Sequence, residues 1–331
     1  MEFARADAVR AGLSGLSGPG SKAGPKVALV LPATGPRAAW GRTLRAVARG
    51  GTGPAIEWVL HDESAALDGA RRVARKVVES GGYRAVVGHL GSRGAAAALP
   101  LYRAAGLPCL LPVTALPGEG LGAVGGLLPG AGSGSGAGGG GGADGQSLAL
   151  SWAPDEAGQA KALLAALDSL GTSGVGVLTD GSAYGYRLGV HLLGADEPGR
   201  PVRPVGPVGP VPTALRTVVV AARFHKAAEL ARGLRESGYT GQLAFPDDCE
   251  LAEFARLAGT AAAGALLCRP AGGRAPRVRA ALAALAGALT DRPGVTGVEL
   301  AAAVRERSAL LLDTAGAPVA DSWQVVRMTG A

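Results

Sequence analysis

The residue types that could do covalent or acid-base chemistry form no known catalytic signature in this sequence. It has no Gly-x-Ser-x-Gly turn, no Gly-x-x-x-x-Gly-Lys-[Ser/Thr] phosphate loop and no His-Glu-x-x-His pair. The four histidines, His61, His89, His191 and His225, lie far apart, and none has a second metal ligand at a usual spacing. We therefore expect no catalytic residue, no metal and no cofactor.

One segment does combine groups that could bind an anion. Residues 86–94 read Val-Val-Gly-His-Leu-Gly-Ser-Arg-Gly and run from an apolar strand pattern into a helical pattern. Free backbone N–H groups and the positive end of the helix dipole make such a turn a site for a carboxylate. Ser92 is expected to cap the helix and to add a hydroxyl. On pattern alone, an ordinary helix start and a binding site remain equally open.

The elements around this turn alternate between short apolar runs and helical patterns. In 69–80, for example, apolar residues recur at i, i+3, i+4, i+7 and i+8, which is one face of a helix. Strands are predicted at 27–31, 56–60, 85–87, 109–111, 175–178, 217–222, 242–245, 309–312 and 323–328. Helices are predicted at 37–49, 69–80, 92–105, 155–170, 184–193, 225–237, 278–289 and 298–307. This alternation predicts an α/β fold with parallel sheets.

Two low-complexity segments divide the chain. Residues 117–147 are mostly glycine with alanine, serine, leucine and proline, which predicts a flexible linker. Residues 198–212 contain Pro-Val-Gly repeats, which favour extended conformations. The predicted organisation is a disordered segment at 1–25, a first lobe at 26–116 plus about 249–312, and a second lobe at 148–248 plus about 313–331.

Composition excludes several classes of protein. The 331 residues carry a formal net charge of +7, but the arginines are scattered and aromatic residues make up only 4%, so we expect no nucleic-acid partner. No run of 18 apolar residues is present, so no membrane span is predicted. Three cysteines without a Cys-x-x-Cys pair are expected to be free thiols. Residues 1–24 show neither an apolar signal core nor a cysteine for a lipid, which favours the cytoplasm if the start is correct.

Several motifs, taken in their order and spacing, resemble a known family. They are Val-Ala-Leu-Val-Leu-Pro-Ala-Thr-Gly-Pro-Arg-Ala-Ala-Trp-Gly at 27–41, Gly-His-Leu-Gly-Ser at 88–92, Ser-Trp-Ala-Pro-Asp-Glu-Ala-Gly-Gln-Ala-Lys at 151–161, Asp-Gly-Ser-Ala-Tyr-Gly at 180–185 and Phe-Pro-Asp-Asp at 245–248. The chain resembles the type I periplasmic binding proteins, above all the leucine/isoleucine/valine-binding proteins of ABC importers. The resemblance covers roughly residues 26–116, 148–192 and 216–268.

The resemblance implies two Rossmann-like lobes joined by a hinge, with an amino acid held in the cleft between them. Carried over to this chain, Leu90, Gly91 and Ser92 take the ligand carboxylate, and Asp247 pairs with the ligand ammonium. Thr114 is the nearest counterpart of the family's strand-end hydroxyl, but it is displaced by one residue. Such a shift turns a strand side chain to the opposite face.

The resemblance also implies walls for the side-chain pocket and a physiological role. Trp40 and Tyr184, from opposite lobes, are expected to form those walls, whereas Asp248 is expected to tolerate alanine with little effect on binding. The implied function is a non-enzymatic solute-binding protein that works outside the cytoplasm and delivers an amino acid-like ligand to an ABC permease. Two alternatives stay open: a cytoplasmic sensor of the same fold, and an interaction protein that has lost its ligand.

Removal of the glycine-rich segment provides a test of this domain organisation. We expect deletion of 120–143 to leave the fold intact, because the segment has no periodic apolar face and halving a loop changes its closure entropy by only about 0.6 kcal/mol. Thermal denaturation of both proteins provides the measurement. A melting temperature lowered by more than about 5 °C would show that the segment packs against the lobes.

Overall fold

The computed structural model describes residues 24–35, 37–49, 56–64, 67–115, 148–197, 199–206, 211–308 and 323–329. The predicted disordered segment up to residue 23, the predicted glycine-rich linker and the predicted strand at 309–312 lie outside the described residues. The proline-rich segment is described in part.

The first lobe is built on a five-stranded parallel sheet with strand order β2-β1-β3-β4-β5. Its strands are β1 (Lys26–Leu31), β2 (Glu57–Asp62), β3 (Tyr83–Gly88), β4 (Cys109–Leu111) and β5 (Ala149–Ser151). Helices α1 (Ala38–Arg49), α2 (Leu67–Ser80) and α3 (Ser92–Ala104) connect the first four strands. The central strands β1 and β3 are buried and apolar after their first one or two residues because helices cover both faces of a parallel sheet.

The second lobe contains a six-stranded sheet with strand order β11-β10-β9-β8-β6-β7. The strands are β6 (Val175–Thr179), β7 (Val202–Pro204), β8 (Thr217–Ala221), β9 (Gln242–Phe245), β10 (Leu266–Pro270) and β11 (Trp323–Arg327). All pair in parallel except β11, which runs antiparallel to β10. The predicted α/β class with two Rossmann-like lobes is confirmed.

The remaining helices are α4 (Glu156–Ser169), α5 (Ala183–Leu193), α6 (Phe224–Glu236), α7 (Ala252–Ala258), α8 (Arg274–Asp291) and α9 (Gly297–Arg307). Local side chains define where two of them begin. Asp155 accepts a hydrogen bond from the Gly158 N–H at 2.7 Å, and Ser182 accepts one from the Gly185 N–H at 3.0 Å. Each bond satisfies a backbone donor that the first helical turn leaves free. None of the helices in the described parts of the chain is long and apolar enough to cross a bilayer.

The sheets assign the chain to the lobes differently from the predicted boundaries. Strand β5, at 149–151, pairs in the first sheet although 148–248 was expected in the second lobe. Strand β10, at 266–270, pairs in the second sheet although 249–312 was expected in the first lobe. The chain returns to the first lobe only at α8, which packs against α1. Strands β5 and β7 have three residues each, too few to show a period of two in the sequence.

A buried histidine in the first lobe couples stability to pH. His61, on β2, is 7% exposed, and its Nε2 lies 3.0 Å from the Tyr83 hydroxyl. Burial, reinforced by the charges of Lys76 and Lys26, lowers the pKa of His61 to about 4 from an ordinary 6.5. The unfolded chain therefore binds a proton at this residue before the folded chain does, so the free energy of unfolding falls as pH drops from 6.5 to 4.

We expect the free energy of unfolding to fall between about pH 7 and pH 4.5 by about 2 kcal/mol less in the His61→Gln variant than in the wild type. Glutamine cannot take up the proton that the buried imidazole resists. Urea denaturation at both pH values measures the difference. The His191→Gln variant is the control because His191 is exposed. If His61→Gln kept the pH dependence of the wild type, His61 would not be the group that couples stability to pH.

Candidate functional site

A cleft lies where the carboxyl ends of strands from both sheets meet, the usual place for ligands in open α/β folds. It encloses a cavity of about 40 Å³, room for a few water molecules. Six of the seven residues predicted from the resemblance line it: Leu90, Gly91, Ser92, Thr114, Tyr184 and Asp247. The cavity is also lined by residues 113–115, 153–154 and 323 and by the charged side chains described below.

The turn between β3 and α3 is shaped by its backbone. Gly88 has φ +135°, and a Cβ there would lie 1.7 Å from the Val30 carbonyl oxygen, so the strand end requires glycine. His89 follows in the left-handed region at φ +62°. Gly91 is the N-cap of α3, and Ser92 is its first residue. The prediction that Ser92 caps the helix is therefore wrong by one position, and α3 begins without a side-chain cap.

A cluster of buried polar side chains forms hydrogen bonds with the residues of this turn. The Glu63 carboxylate contacts His89 Nδ1 at 2.7 Å and accepts the Leu90 N–H at 3.1 Å, while His89 Nε2 lies 2.9 Å from the Tyr102 hydroxyl. The Thr114 hydroxyl donates to the His89 carbonyl at 2.6 Å. Thr114 therefore lines the cleft but uses its hydroxyl to hold the turn. Sequence patterns gave no sign of Glu63, which lies 26 residues before its histidine partner.

Two adjacent carboxylates bring the lobes together across the cleft. They lie on a 3-10 turn, Asp247–Cys249, which follows β9 in the second lobe. Asp248 Oδ1 is 3.3 Å from Nη2 of Arg37, which precedes α1 in the first lobe. The Asp247 carboxylate pairs with Arg274, the first residue of α8. Each acid is thus matched with a guanidinium at the start of α1 or α8, two helices that pack against each other.

Asp248 makes structural contacts within and between the lobes, and its predicted tolerance of alanine in ligand binding stays a prediction. It is 5% exposed, and its second oxygen accepts the Phe224 N–H at 3.0 Å, which caps α6. Burial acts to raise the pKa of this carboxyl, but the positive charges of Arg37 and two further arginines outweigh it. The pKa of Asp248 therefore lies below its ordinary value.

Asp247 is surrounded by donors from its own protein. Besides Arg274, the Tyr184 hydroxyl donates to Oδ1 at 2.5 Å and the Gln159 amide donates to it at 3.0 Å. The Arg274 guanidinium carbon lies 3.9 Å above the Trp40 ring. Trp40 is 3% exposed and lies beneath this arginine, so it supports a cleft residue but is not itself among those that line the cavity.

A third guanidinium in the cleft belongs to Arg223, which sequence reasoning missed because no local pattern singles it out. Its backbone N–H donates to Asp180 at 2.9 Å. The Arg223 side chain lines the cavity and makes no hydrogen bond or ion pair with the described residues, although its charge helps to lower the pKa of Asp248. By contrast, the lining acid Glu156 pairs with Arg187.

The described residues contain no group of three or more His, Cys, Asp or Glu side chains that could hold a metal ion. The three cysteines, Cys109, Cys249 and Cys268, are free and buried. Burial raises the pKa of all three thiols, which disfavours the reactive thiolate.

No known sequence family and no curated protein matches this chain. Solved structures do. A leucine-binding protein, LivK, from Thermotoga maritima superposes with a TM-score of 0.74 at 17% identity, over 92% of this chain and 95% of that one. The branched-chain amino acid transporter substrate-binding protein LivJ from Streptococcus pneumoniae, in complex with isoleucine, gives 0.71 at 15% identity over 92% and 96%. An extracellular ligand-binding receptor from Rhodopseudomonas palustris gives 0.70 at 16% identity over 93% and 98%.

The chain has the type I periplasmic binding protein fold. In this type I fold, the described chain crosses between lobes after β5 and after β10, and β11 returns to the second sheet. The cleft lies beside these crossings, which is where a hinge motion would change its width.

Loss of the Asp248 carboxylate should destabilise the whole protein. We expect Asp248→Ala to lower the free energy of unfolding by about 3 kcal/mol, because it leaves Arg37 buried without its partner and removes the α6 cap. Glu253→Ala is the control, since its pair with Arg42 at 3.0 Å is largely exposed and contributes about 0–1 kcal/mol. Urea denaturation compares the two; equal effects would contradict a special role for Asp248.

Proposed function

We propose that this protein is a non-enzymatic solute-binding protein that captures a small, amino acid-like ligand through its carboxylate in the cleft between the lobes. One observation carries the proposal. The start of α3 and the unpaired Arg223 guanidinium line the same cavity from opposite lobes. A carboxylate there would contact both lobes and favour their closure.

The carboxylate end of the site is supplied mainly by backbone groups. Gly91 and Ser92 carry N–H groups of the first turn of α3, which have no acceptor within their own helix. The Leu90 N–H already donates to Glu63, so we assign Leu90 to the wall rather than to the carboxylate. Ser92 can add its hydroxyl, since it makes no capping bond. The helix dipole favours the negative charge.

The rest of the proposed site comes from side chains that line the cavity. Arg223 supplies a guanidinium, which binds carboxylates strongly and with defined geometry. Tyr184 and Thr114 line the cavity but use their hydroxyls on Asp247 and on the β3–α3 turn. Trp40 contributes indirectly, because its ring positions Arg274.

A cavity of about 40 Å³ does not admit an amino acid-sized molecule without opening. The Arg37–Asp248 and Arg274–Asp247 pairs span the cleft and hold the two lobes together. We propose that the lobes separate to admit the ligand and close over it, and that the bound carboxylate contributes to the closed state.

We propose further that the protein acts outside the cytoplasm as the receptor component of an ABC importer. The similarity to proteins described as a transporter substrate-binding protein and as an extracellular ligand-binding receptor supports this role. A cytoplasmic sensor of the same fold is the alternative, and cell fractionation distinguishes the two.

The binding site is tested with Arg223→Met and, as control, Arg216→Met, whose side chain is exposed. A thermal-shift screen of amino acids and related carboxylates on extensively dialysed protein identifies a ligand, since binding at 100 Kd stabilises by about 2.7 kcal/mol. Calorimetric titration should then give at least about tenfold weaker binding for Arg223→Met. The control should match the wild type.

Two outcomes would overturn the proposal. Absence of any stabilising compound would favour an interaction protein that binds no small ligand. Equal affinities for Arg223→Met and the wild type would show that the ligand binds elsewhere.

A further inference from the structure

We infer that Arg274 is a specificity-determining residue that fills the position of a ligand ammonium group, so that the cleft selects carboxylates without an α-ammonium. This inference rests on the proposed function and concerns the chemical class of the ligand. It differs from what the family resemblance implied, which was that Asp247 pairs with the ammonium group of an amino acid.

The Asp247 carboxylate has little left to offer a ligand cation. Its Oδ1 accepts from Tyr184 at 2.5 Å and from Gln159 at 3.0 Å, and its Oδ2 pairs with Arg274. A carboxylate has about four lone-pair sites, of which these contacts use three. Its single negative charge is already matched by the guanidinium.

Arg274 is held in this position from several sides. It is 7% exposed, and its guanidinium carbon stacks 3.9 Å above the Trp40 ring. It is also the first residue of α8, where the helix dipole disfavours a cation. Asp247 offsets both burial and the dipole, so the guanidinium and the carboxylate depend on each other.

An α-amino acid would therefore bring a second cation to a carboxylate that is already neutralised. The ammonium would either displace Arg274 or lie beside it in a closed, poorly hydrated cleft. Either arrangement sets two cations against one carboxylate, because the neighbouring acids Asp248 and Glu250 already pair with Arg37 and Arg269. A carboxylate that lacks the amino group avoids this repulsion and can still use Arg223, Gly91 and Ser92.

The experiment compares matched pairs of compounds that differ by the amino group alone: leucine with 4-methylpentanoate, valine with 3-methylbutanoate, and phenylalanine with 3-phenylpropanoate. Calorimetric titration of the dialysed full chain should show tighter binding of the carboxylate, by at least about 30-fold in the best pair. Arg274→Met should reverse the order, because it frees Asp247 for an ammonium.

Two further variants keep the test interpretable. The double variant Arg274→Met/Asp247→Asn removes both charges and provides a second test in case a single variant fails to fold. We expect this double variant to bind the carboxylate but not the amino acid. Arg279→Met is the matched control, since Arg279 is exposed on the same helix, and it should behave as the wild type. Circular dichroism checks that each variant folds.

The outcomes separate the inference from the function on which it rests. Wild type that binds an amino acid as tightly as its carboxylate partner overturns the inference but supports solute binding. A carboxylate preference that persists in Arg274→Met also overturns it, because another residue then determines specificity. No binding of any pair by the wild type or Arg274→Met overturns the proposed function together with the inference.

Discussion

Two adjacent carboxylates, the half-buried Asp247 and the buried Asp248, place a strong demand on the rest of the molecule. Adjacent like charges in a cleft of low polarity are stable only if each has a cation close by. The second lobe does not supply these cations by itself. They come from Arg37, just before α1, and from Arg274, at the start of α8, and these two helices pack against each other. Electrostatic compensation therefore joins the two lobes at the cleft.

The same arrangement determines what remains available to a ligand. Arg37 is directed toward Gly91, where an added Cβ would lie 2.7 Å from its Nη1, so the first turn of α3 and the inter-lobe ion pair are neighbours. The Glu63–His89 contact fixes that turn from the other side. The cleft consequently presents fixed donors for an anion, while its own acids are already bonded. Under the proposed function, its selectivity would follow from which charges the protein neutralises internally.

The sequence predicted what depends on local periodicity and little of what depends on distant partners. Strands such as β1 and helices such as α2 were recognisable because burial imposes a regular apolar pattern on them. The three-residue strands β5 and β7 were missed, although the equally short β4 was predicted, since pairing and not their own pattern defines them. The resemblance to the binding-protein family identified Asp247 as a cleft residue. It could not reveal Arg274 as its partner, because no sequence pattern links an acid on a 3-10 turn to the start of a helix 27 residues later.

The position of the cleft and its chemistry thus have separate origins. Topology alone brings the carboxyl ends of the strands and the start of α3 to one place, and the same fold is found in solved structures at 15–17% identity. The charge at each point of the cleft is determined by single side chains contributed from α1, α8 and the 3-10 turn. One arginine at the start of α8 places the protein's own cation on Asp247, which in our inference excludes a ligand's cation without any change in the sheets. The fold predicts where a ligand would bind, whereas in our proposal Arg37, Arg223 and Arg274 determine which charges that ligand can carry.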